Sequence, residues 1–309
     1  MKQKSCNLIV ILGPTATGKT GLAARLAKEL NSEVISADSR QVYRGMDLGT
    51  GKDLTEFIVD GARVPYHLID IVAPDHEFNV FEYQRSFFDC FSELSKRGIV
   101  PIMVGGTGLY IDAVIKGYEM FEVPENPGLR RELDNQDMET LKSRLLALNP
   151  AIHNTTDLLD RKRLLRAIEI ADHTEKHQFP DEADKPEIRP FIIGVRWTRE
   201  ILLRRITDRL EKRLEMGMID EVRKLHESGT SWGKLSFFGL EYRYISLYLQ
   251  GKTSYEEMFK TLNTRIHQFA KRQETWFRRM ERQGTVIHWV DNADFDKLKA
   301  LVGNINGDS

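Results

Sequence analysis

The segment best equipped for chemistry is Gly13-Pro14-Thr15-Ala16-Thr17-Gly18-Lys19-Thr20, which fits the phosphate-loop spacing G-x-x-x-x-G-K-[ST]. Glycines at these positions let backbone N–H groups turn inward around phosphate oxygens. The helix expected next aims its positive end at the same anion. Lys19 supplies a mobile positive charge, and the Thr20 hydroxyl can ligate Mg2+. Kinases, nucleotide hydrolases and some transferases all use such a loop on phosphate compounds such as ATP, so alone it names no reaction.

Two more segments add reactive side chains. Asp38 closes an apolar run and opens Asp38-Ser39-Arg40-Gln41-Val42-Tyr43-Arg44-Gly45-Met46-Asp47-Leu48-Gly49-Thr50. Met103 to Tyr110 contains a second glycine turn, with the Thr107 hydroxyl on it. In open α/β sheets the ligand crevice lies just past the C-terminal strand ends. Asp38 therefore faces the phosphate compound, where it can accept a proton or ligate Mg2+, and Thr107 shares that rim. The Mg2+-ordering aspartate of ATP-hydrolysing proteins has one candidate, Asp70, after the short lead-in Leu68-Ile69. That context suits a strand-end cap as well, and it weakens the case for an ATPase.

The elements that must carry these residues alternate in type. Leu8–Leu12 is a continuous apolar run, as expected of a strand buried on both faces of a parallel sheet. Leu22, Leu26 and Leu30 then repeat at helical spacing. Residues 33–37 and 66–71 read as further strands, 80–97 as a helix stopped by Gly98, and 99–104 as a strand. This predicts an α/β fold with a phosphate-loop-type parallel sheet and helices on both faces. The pattern breaks at Pro124-Glu125-Asn126-Pro127. Residues 129–148 and 157–171 read as two helices, and a polar stretch with Pro180, Pro186 and Pro190 reads as a linker. We take 123–189 as a small all-helical insertion domain, with 1–122 and 190–309 forming the catalytic body. Residues 191–195 return to strand, 200–282 are helical with breaks near Gly217 and at 229–234, and a strand at 286–290 closes the fold.

Composition sets outer bounds. The chain has 309 residues, 41% of them hydrophobic and 29% charged, with a formal net charge of −1. These values exclude a uniformly basic nucleic-acid coat and a disordered acidic chain. The apolar run at 7–12 is too short for a signal peptide or a membrane span, so no membrane partner is expected. Cys6 and Cys90 build no disulfide framework, and no Cys/His spacing suggests zinc. A cytoplasmic protein is expected.

Charge is unevenly placed, however. Thr253-x-x-Glu256 has the spacing of a capping box before a long helix. On a helical wheel of 259–282, Lys260, Arg265, Lys271, Arg272, Arg278, Arg279 and Arg282 share an arc of about 140°. Phe259, Leu262, Ile266, Phe269, Ala270 and Phe277 fill the complementary arc. A face with seven bases against Glu274 and Glu281 would track nucleic-acid phosphates.

Taken together, GPTATGKT at 13–20, ISADSRQVYRGMDLGT at 35–50, PYHLID at 65–70, VGGTGLY at 104–110 and FAKRQETWFRR at 269–279 resemble the tRNA dimethylallyltransferase (isopentenyltransferase) family. The likeness runs from about Leu8 to Trp289. It implies transfer of a dimethylallyl group from dimethylallyl diphosphate to the N6 amine of the adenosine 3′-adjacent to the anticodon. The acceptors would be tRNAs reading codons that begin with U. The resemblance also implies roles. Gly13 to Thr20 would hold the diphosphate with Mg2+ on Thr20, Asp38 would act as base, Thr107 would orient the reactants, and Arg209 would reach the diphosphate. Asp38, Ser39, Arg40, Gln41 and Thr107 would touch the extruded nucleotide. Arg130, Lys162, Arg163, Arg166, Tyr242, Arg243, Lys271, Arg272, Gln273 and Arg278 would contact the anticodon stem-loop. A monomer is expected, since a tRNA needs an open cleft.

The sequence departs from the family pattern in places: Gly-Lys-Asp at 51–53, Gly239-Leu240-Glu241-Tyr242-Arg243, Lys162, and His173 to Lys176 without the usual glycine turn. Three other readings stay open at this level. The chain could be a small-molecule kinase with the insertion as lid, an AMP prenyltransferase, or an RNA-binding switch that senses nucleotide.

Overall fold

The computed structural model describes residues 6–149, 158, 160–176 and 185–307. Its centre is a six-stranded parallel sheet built from β1 (Leu8–Leu12), β2 (Val34–Ala37), β5 (Tyr66–His67), β6 (Ile102–Gly105), β7 (Pro190–Arg196) and β8 (His288–Asp291). The strands lie in the order β5-β2-β6-β1-β7-β8. A two-stranded antiparallel hairpin, β3 (Ile58–Val59) and β4 (Ala62–Arg63), stands apart.

Alternation along β1 explains why its run is apolar throughout. Leu8, Val10 and Leu12 enter one core and Ile9 and Ile11 the other, all nearly inaccessible. The first core takes in α2 (Val80–Lys96), α3 (Gly108–Ile115) and the end of α11 (Tyr255–Arg282). The second is covered by α1 (Lys19–Leu30) and by α12 (Phe295–Gly307), through Phe295, Leu298 and Val302. Helices thus flank both faces, and the α/β expectation is borne out.

Chain entry and exit follow local rules. Asn79 caps α2 in a capping box with Glu82, and Gly98 leaves it at φ +72°. A third core packs α7 (Arg199–Glu215), α8 (Met218–Glu227), α9 (Trp232–Phe238), α10 (Leu240–Leu249) and α11 around Tyr43 and Met46. The breaks expected near Gly217 and at 229–234 are present. Others fall at Gly239 and at residues 250–254.

Three local expectations fail for identifiable reasons. The strand at 66–71 stops after His67, because Leu68 (φ +60°) and Asp70 (φ +57°) are left-handed and Ile71 bonds back to the Val42 carbonyl. The capping box of α11 begins one residue later than expected: Ser254 Oγ accepts from the Glu257 amide at 3.2 Å, and Glu257 Oε2 accepts from the Ser254 amide at 3.0 Å. The chain also does not close on its last strand, since α12 follows β8.

Residues 119–185 form a second compact unit. Within it α4 (Pro127–Leu133), α5 (Met138–Leu148) and α6 (Arg161–Lys176) bury Leu129, Leu133, Leu141, Leu145, Leu164 and Ile168 together. One helix was expected over 129–148. Asp137 instead starts a new one, accepting from the Thr140 amide at 2.8 Å. Asp157 and Pro180, part of the expected second helix and linker, lie outside the described residues.

Candidate active site

β1 delivers the chain into the phosphate loop at Gly13. A side chain there would strike the Val195 carbonyl of β7, so only glycine fits the approach. Ala16 sits in the left-handed region at φ +63°, a conformation that costs a non-glycine residue about 1 kcal/mol. Three side chains distant in sequence hold the loop in that shape. Trp197 Nε1 donates to the Thr17 carbonyl at 3.0 Å, and Arg205 Nε donates to the Ala16 carbonyl at 2.8 Å. Gln273 Oε1 accepts from the Thr15 amide at 2.8 Å.

Lys19 lies at the start of α1 and donates to the Pro14 carbonyl at 3.2 Å. Burial and the nearby Arg209 guanidinium lower its ammonium to about 8. Arg209, on α7, donates to Thr15 Oγ1 at 3.1 Å and to the Gly51 carbonyl at 3.2 Å. Its neighbour Arg213 is pulled below its ordinary value by burial and by Arg209. A cleft of about 480 Å³ opens beside Gly18, Lys19, Thr20, Arg209 and Arg213. Cations clustered and desolvated together, each pulled below its ordinary value, are set up to receive an anion of more than one charge.

The other wall of the cleft carries carboxylates. Glu56 lines the same cleft as Thr20, and burial, reinforced by Asp53, pushes its carboxyl above the ordinary value. A threonine hydroxyl beside hard carboxylate oxygens has the donor chemistry that would suit Mg2+. Asp70 has a different role from the metal ligand considered above: it pairs with the fully buried Lys52 ammonium, which also binds Asp47 Oδ1 at 2.7 Å and the Tyr43 carbonyl at 2.8 Å.

On the neighbouring strand end, Asp38 Oδ1 accepts from the amides of Arg40 at 2.8 Å and Gln41 at 3.4 Å. This turn anchors the carboxylate at the exit of β2. Thr107 Oγ1 accepts from the Ser39 amide at 3.1 Å, joining the exits of β6 and β2. Gly105 is required here, since an added Cβ would collide with the Ala37 carbonyl. Gln41 Nε2 donates to the Gly51 carbonyl at 3.3 Å. Gly51 therefore receives one donor from the Asp38 turn and one from Arg209, tying the two halves of the site together.

The expected nucleic-acid contacts fall into two groups. Lys162, Arg163, Arg243, Lys271, Arg272 and Arg278 are exposed, and Ser39, Arg40 and Gln41 are half-buried at the rim. Tyr242 is fully buried and donates to Glu221 Oε1 at 2.7 Å, so it is a packing and loop-anchoring residue instead. Gln273 is 8% exposed and faces the phosphate loop. In the helical unit Arg130 and Arg166 both bond the buried carboxylate of Glu169, Arg130 through Nε at 2.7 Å and Nη2 at 2.9 Å. Two members of the helical-wheel arcs also move. Phe269 is exposed beneath Arg272, and Arg279 folds over Trp276 with 4.4 Å to the ring centre.

An IPP transferase family model matches residues 41–280, and an isopentenyl transferase model matches residues 6–71. This chain belongs to the IPP transferase family. Within the family, the tRNA dimethylallyltransferase 1 of Syntrophus aciditrophicus (strain SB) is 59% identical over 300 residues, covering 97% of this chain and 98% of its own. That of Geotalea uraniireducens (strain Rf4) is 57% identical over 295 residues, covering 96% and 95%. Among solved structures, the full-length tRNA isopentenylpyrophosphate transferase from Bacillus halodurans matches with a TM-score of 0.68 at 36% identity. It covers 97% of this chain and 94% of that one.

For a member of this family, the site holds residues that motif spacing did not single out. Glu221 Oε atoms accept from the consecutive amides of Asp47, Leu48 and Gly49 at 2.9, 2.7 and 3.0 Å, fixing the loop that ends in Gly51. Arg213 lies four residues after Arg209, on the same helix face. That spacing was the one available signal for it. Glu221 gave none, because its partners are backbone groups from another part of the chain.

Proposed function

We propose that the chain transfers the dimethylallyl group of dimethylallyl diphosphate to the exocyclic N6 amine of the adenosine 3′-adjacent to the anticodon. Its acceptors are tRNAs reading codons that begin with U, and diphosphate is released. The observation that carries this reading is the convergence of an anion cradle (Gly13 to Thr20 with Arg209) and a fixed carboxylate (Asp38) on one rim. They share that rim in a chain whose relatives bearing the name match almost end to end.

The steps follow from the groups present. The loop amides, Lys19, Arg209 and Arg213 hold the diphosphate and stabilise charge as the C–O bond breaks and its electron pair leaves with diphosphate. The amine lone pair forms the new C–N bond, and the N6 proton passes to the Asp38 carboxylate. Thr107 holds the Asp38–Ser39 turn in register against β6. Thr20 and Glu56 would hold Mg2+, which when bound neutralises part of the diphosphate charge. The base reaches the site extruded from its stack, with Ser39 to Gln41 at the rim. The exposed bases Lys271, Arg272 and Arg278 supply phosphate contacts along α11. The enzyme works as a cytoplasmic monomer in this reading. No helix among the described residues is long and apolar enough to cross a membrane.

The test is nucleoside mass spectrometry of unmodified tRNA incubated with enzyme, dimethylallyl diphosphate and Mg2+. N6-prenylated adenosine at that one position is the expected product. Its absence from tRNAs that carry the adenosine would reject the assignment.

A further inference from the structure

Gln273 stands on the basic helix beside Lys271 and Arg272, yet its side chain turns inward. Its Oε1 accepts from the Thr15 amide at 2.8 Å, and its Nε2 donates to the Gly106 carbonyl at 2.9 Å. Thr15 belongs to the phosphate loop, and Gly106 directly precedes Thr107. The Thr15 hydroxyl is already engaged by Arg209. Gly106 has no room for a Cβ because the Gln273 amide fills that space. One planar amide therefore spans the loop that grips the leaving group and the turn that serves the acceptor.

We propose that Gln273 is a positioning residue for the transfer reaction, setting the phosphate loop against the Gly106–Thr107 turn so that donor carbon and acceptor amine meet across a fixed gap. The inference deepens the dimethylallyl-transfer reading and rests on it. The side-chain type follows from the partners. A backbone N–H and a backbone C=O must be met together, and a primary amide offers one acceptor and donors in one plane. Lysine and arginine only donate, and an ionised glutamate only accepts. A glutamate at 273 would keep the Thr15 bond but set its other oxygen against the Gly106 carbonyl. Protonation restores the donor, because a carboxylic acid again presents one acceptor and one O–H.

That asymmetry supplies the test. Full-length wild type, Gln273→Leu and Gln273→Glu are compared for kcat and KM in tRNA prenylation, and for affinity toward inorganic diphosphate by calorimetry. Gln273→Leu should lose about 10- to 100-fold in kcat with KM for tRNA changed by less than about 3-fold. The ratio of Gln273→Glu to wild-type kcat should climb as pH falls from about 8 to 5.5, because burial and the facing Gly106 carbonyl raise the carboxyl above the ordinary glutamate range. Diphosphate affinity relative to wild type should recover over the same range. Unaltered kcat in Gln273→Leu, or a Gln273→Glu ratio flat with pH, would overturn the proposal. If Gln273→Leu fails to fold, the glutamate ratio decides alone. Should wild type yield no prenylated tRNA, the reaction assignment falls, while the diphosphate affinities still judge the bridge: recovery toward acid supports it and a flat ratio rejects it.

Discussion

Removing the Glu221 carboxylate should loosen the loop that carries Gly51, and the cost can be worked from its four partners. The exposed Asp47 amide regains water when the carboxylate is lost, so its contribution is close to zero. The Leu48 and Gly49 amides and the Tyr242 hydroxyl lie in partly buried settings. Each loses a charge-assisted bond of about 1.5 kcal/mol, for a ceiling near ~4.5 kcal/mol. Water entering the vacated space recovers part of this, leaving about 2–3 kcal/mol for Glu221→Ala. Hydrogen exchange read by mass spectrometry on residues 44–53 should then speed up by roughly 30- to 150-fold, and urea unfolding should shift by a similar free energy. Tyr242→Phe alone should cost about 1.5 kcal/mol. In the Glu221→Ala background the same substitution should be neutral or stabilising, because it removes a buried hydroxyl that has lost its acceptor. Equal costs in both backgrounds, or a Glu221→Ala penalty below about 0.5 kcal/mol, would refute the assignment of the loop's anchorage to this carboxylate.

Other outcomes follow from the same geometry. Asp38→Asn should lower kcat by about 10²- to 10⁴-fold while tRNA affinity, read by filter binding, stays within about 3-fold. Inorganic diphosphate binding should weaken as pH rises through about 8, because Lys19 is depressed to that value and is charged only below it. Lys19→Met should abolish that step in calorimetric titrations. Without ligand, the depressed Lys19 also makes folding stability rise with pH from about 8 toward its unfolded value near 10.4, and Lys19→Met should flatten that rise in urea titrations. Replacing Lys271 and Arg272 together by alanine should reduce the log–log salt slope of tRNA binding by about 1.4 to 1.8.

How much could be read from residue order depended on how local each determinant is. The phosphate loop was legible because its glycines, lysine and threonine act within eight consecutive residues and between two strongly patterned elements. Gln273 was legible only as part of a motif. Its partner Thr15 lies 258 residues away, and nothing in the spacing says which way the amide turns. Arg130 and Arg166 look like free surface cations until Glu169 is found buried between them. The helical wheel of α11 assigned most positions correctly, yet an ideal wheel does not know where neighbouring elements end. Phe269 projects past them, and Arg279 finds Trp276. The strand expected at 66–71 failed because a buried lysine, Lys52, draws Asp70 out of line. The terminal helix could have been found, since Phe295, Leu298 and Val302 recur at helical spacing.

The order of the strands has a further consequence. The phosphate loop leaves β1, the Thr107 turn leaves β6, and Asp38 leaves β2, and these three are adjacent in that order. Hydrogen-bonded neighbours lie about 4.8 Å apart, so the phosphate loop and Asp38 spring from backbones roughly 10 Å apart. The sheet thereby acts as a ruler whose graduations no loop substitution can alter. The transfer proposed above needs its five-carbon donor to bridge that interval, and a ten-carbon donor would have to take its tail off the line between the two ends.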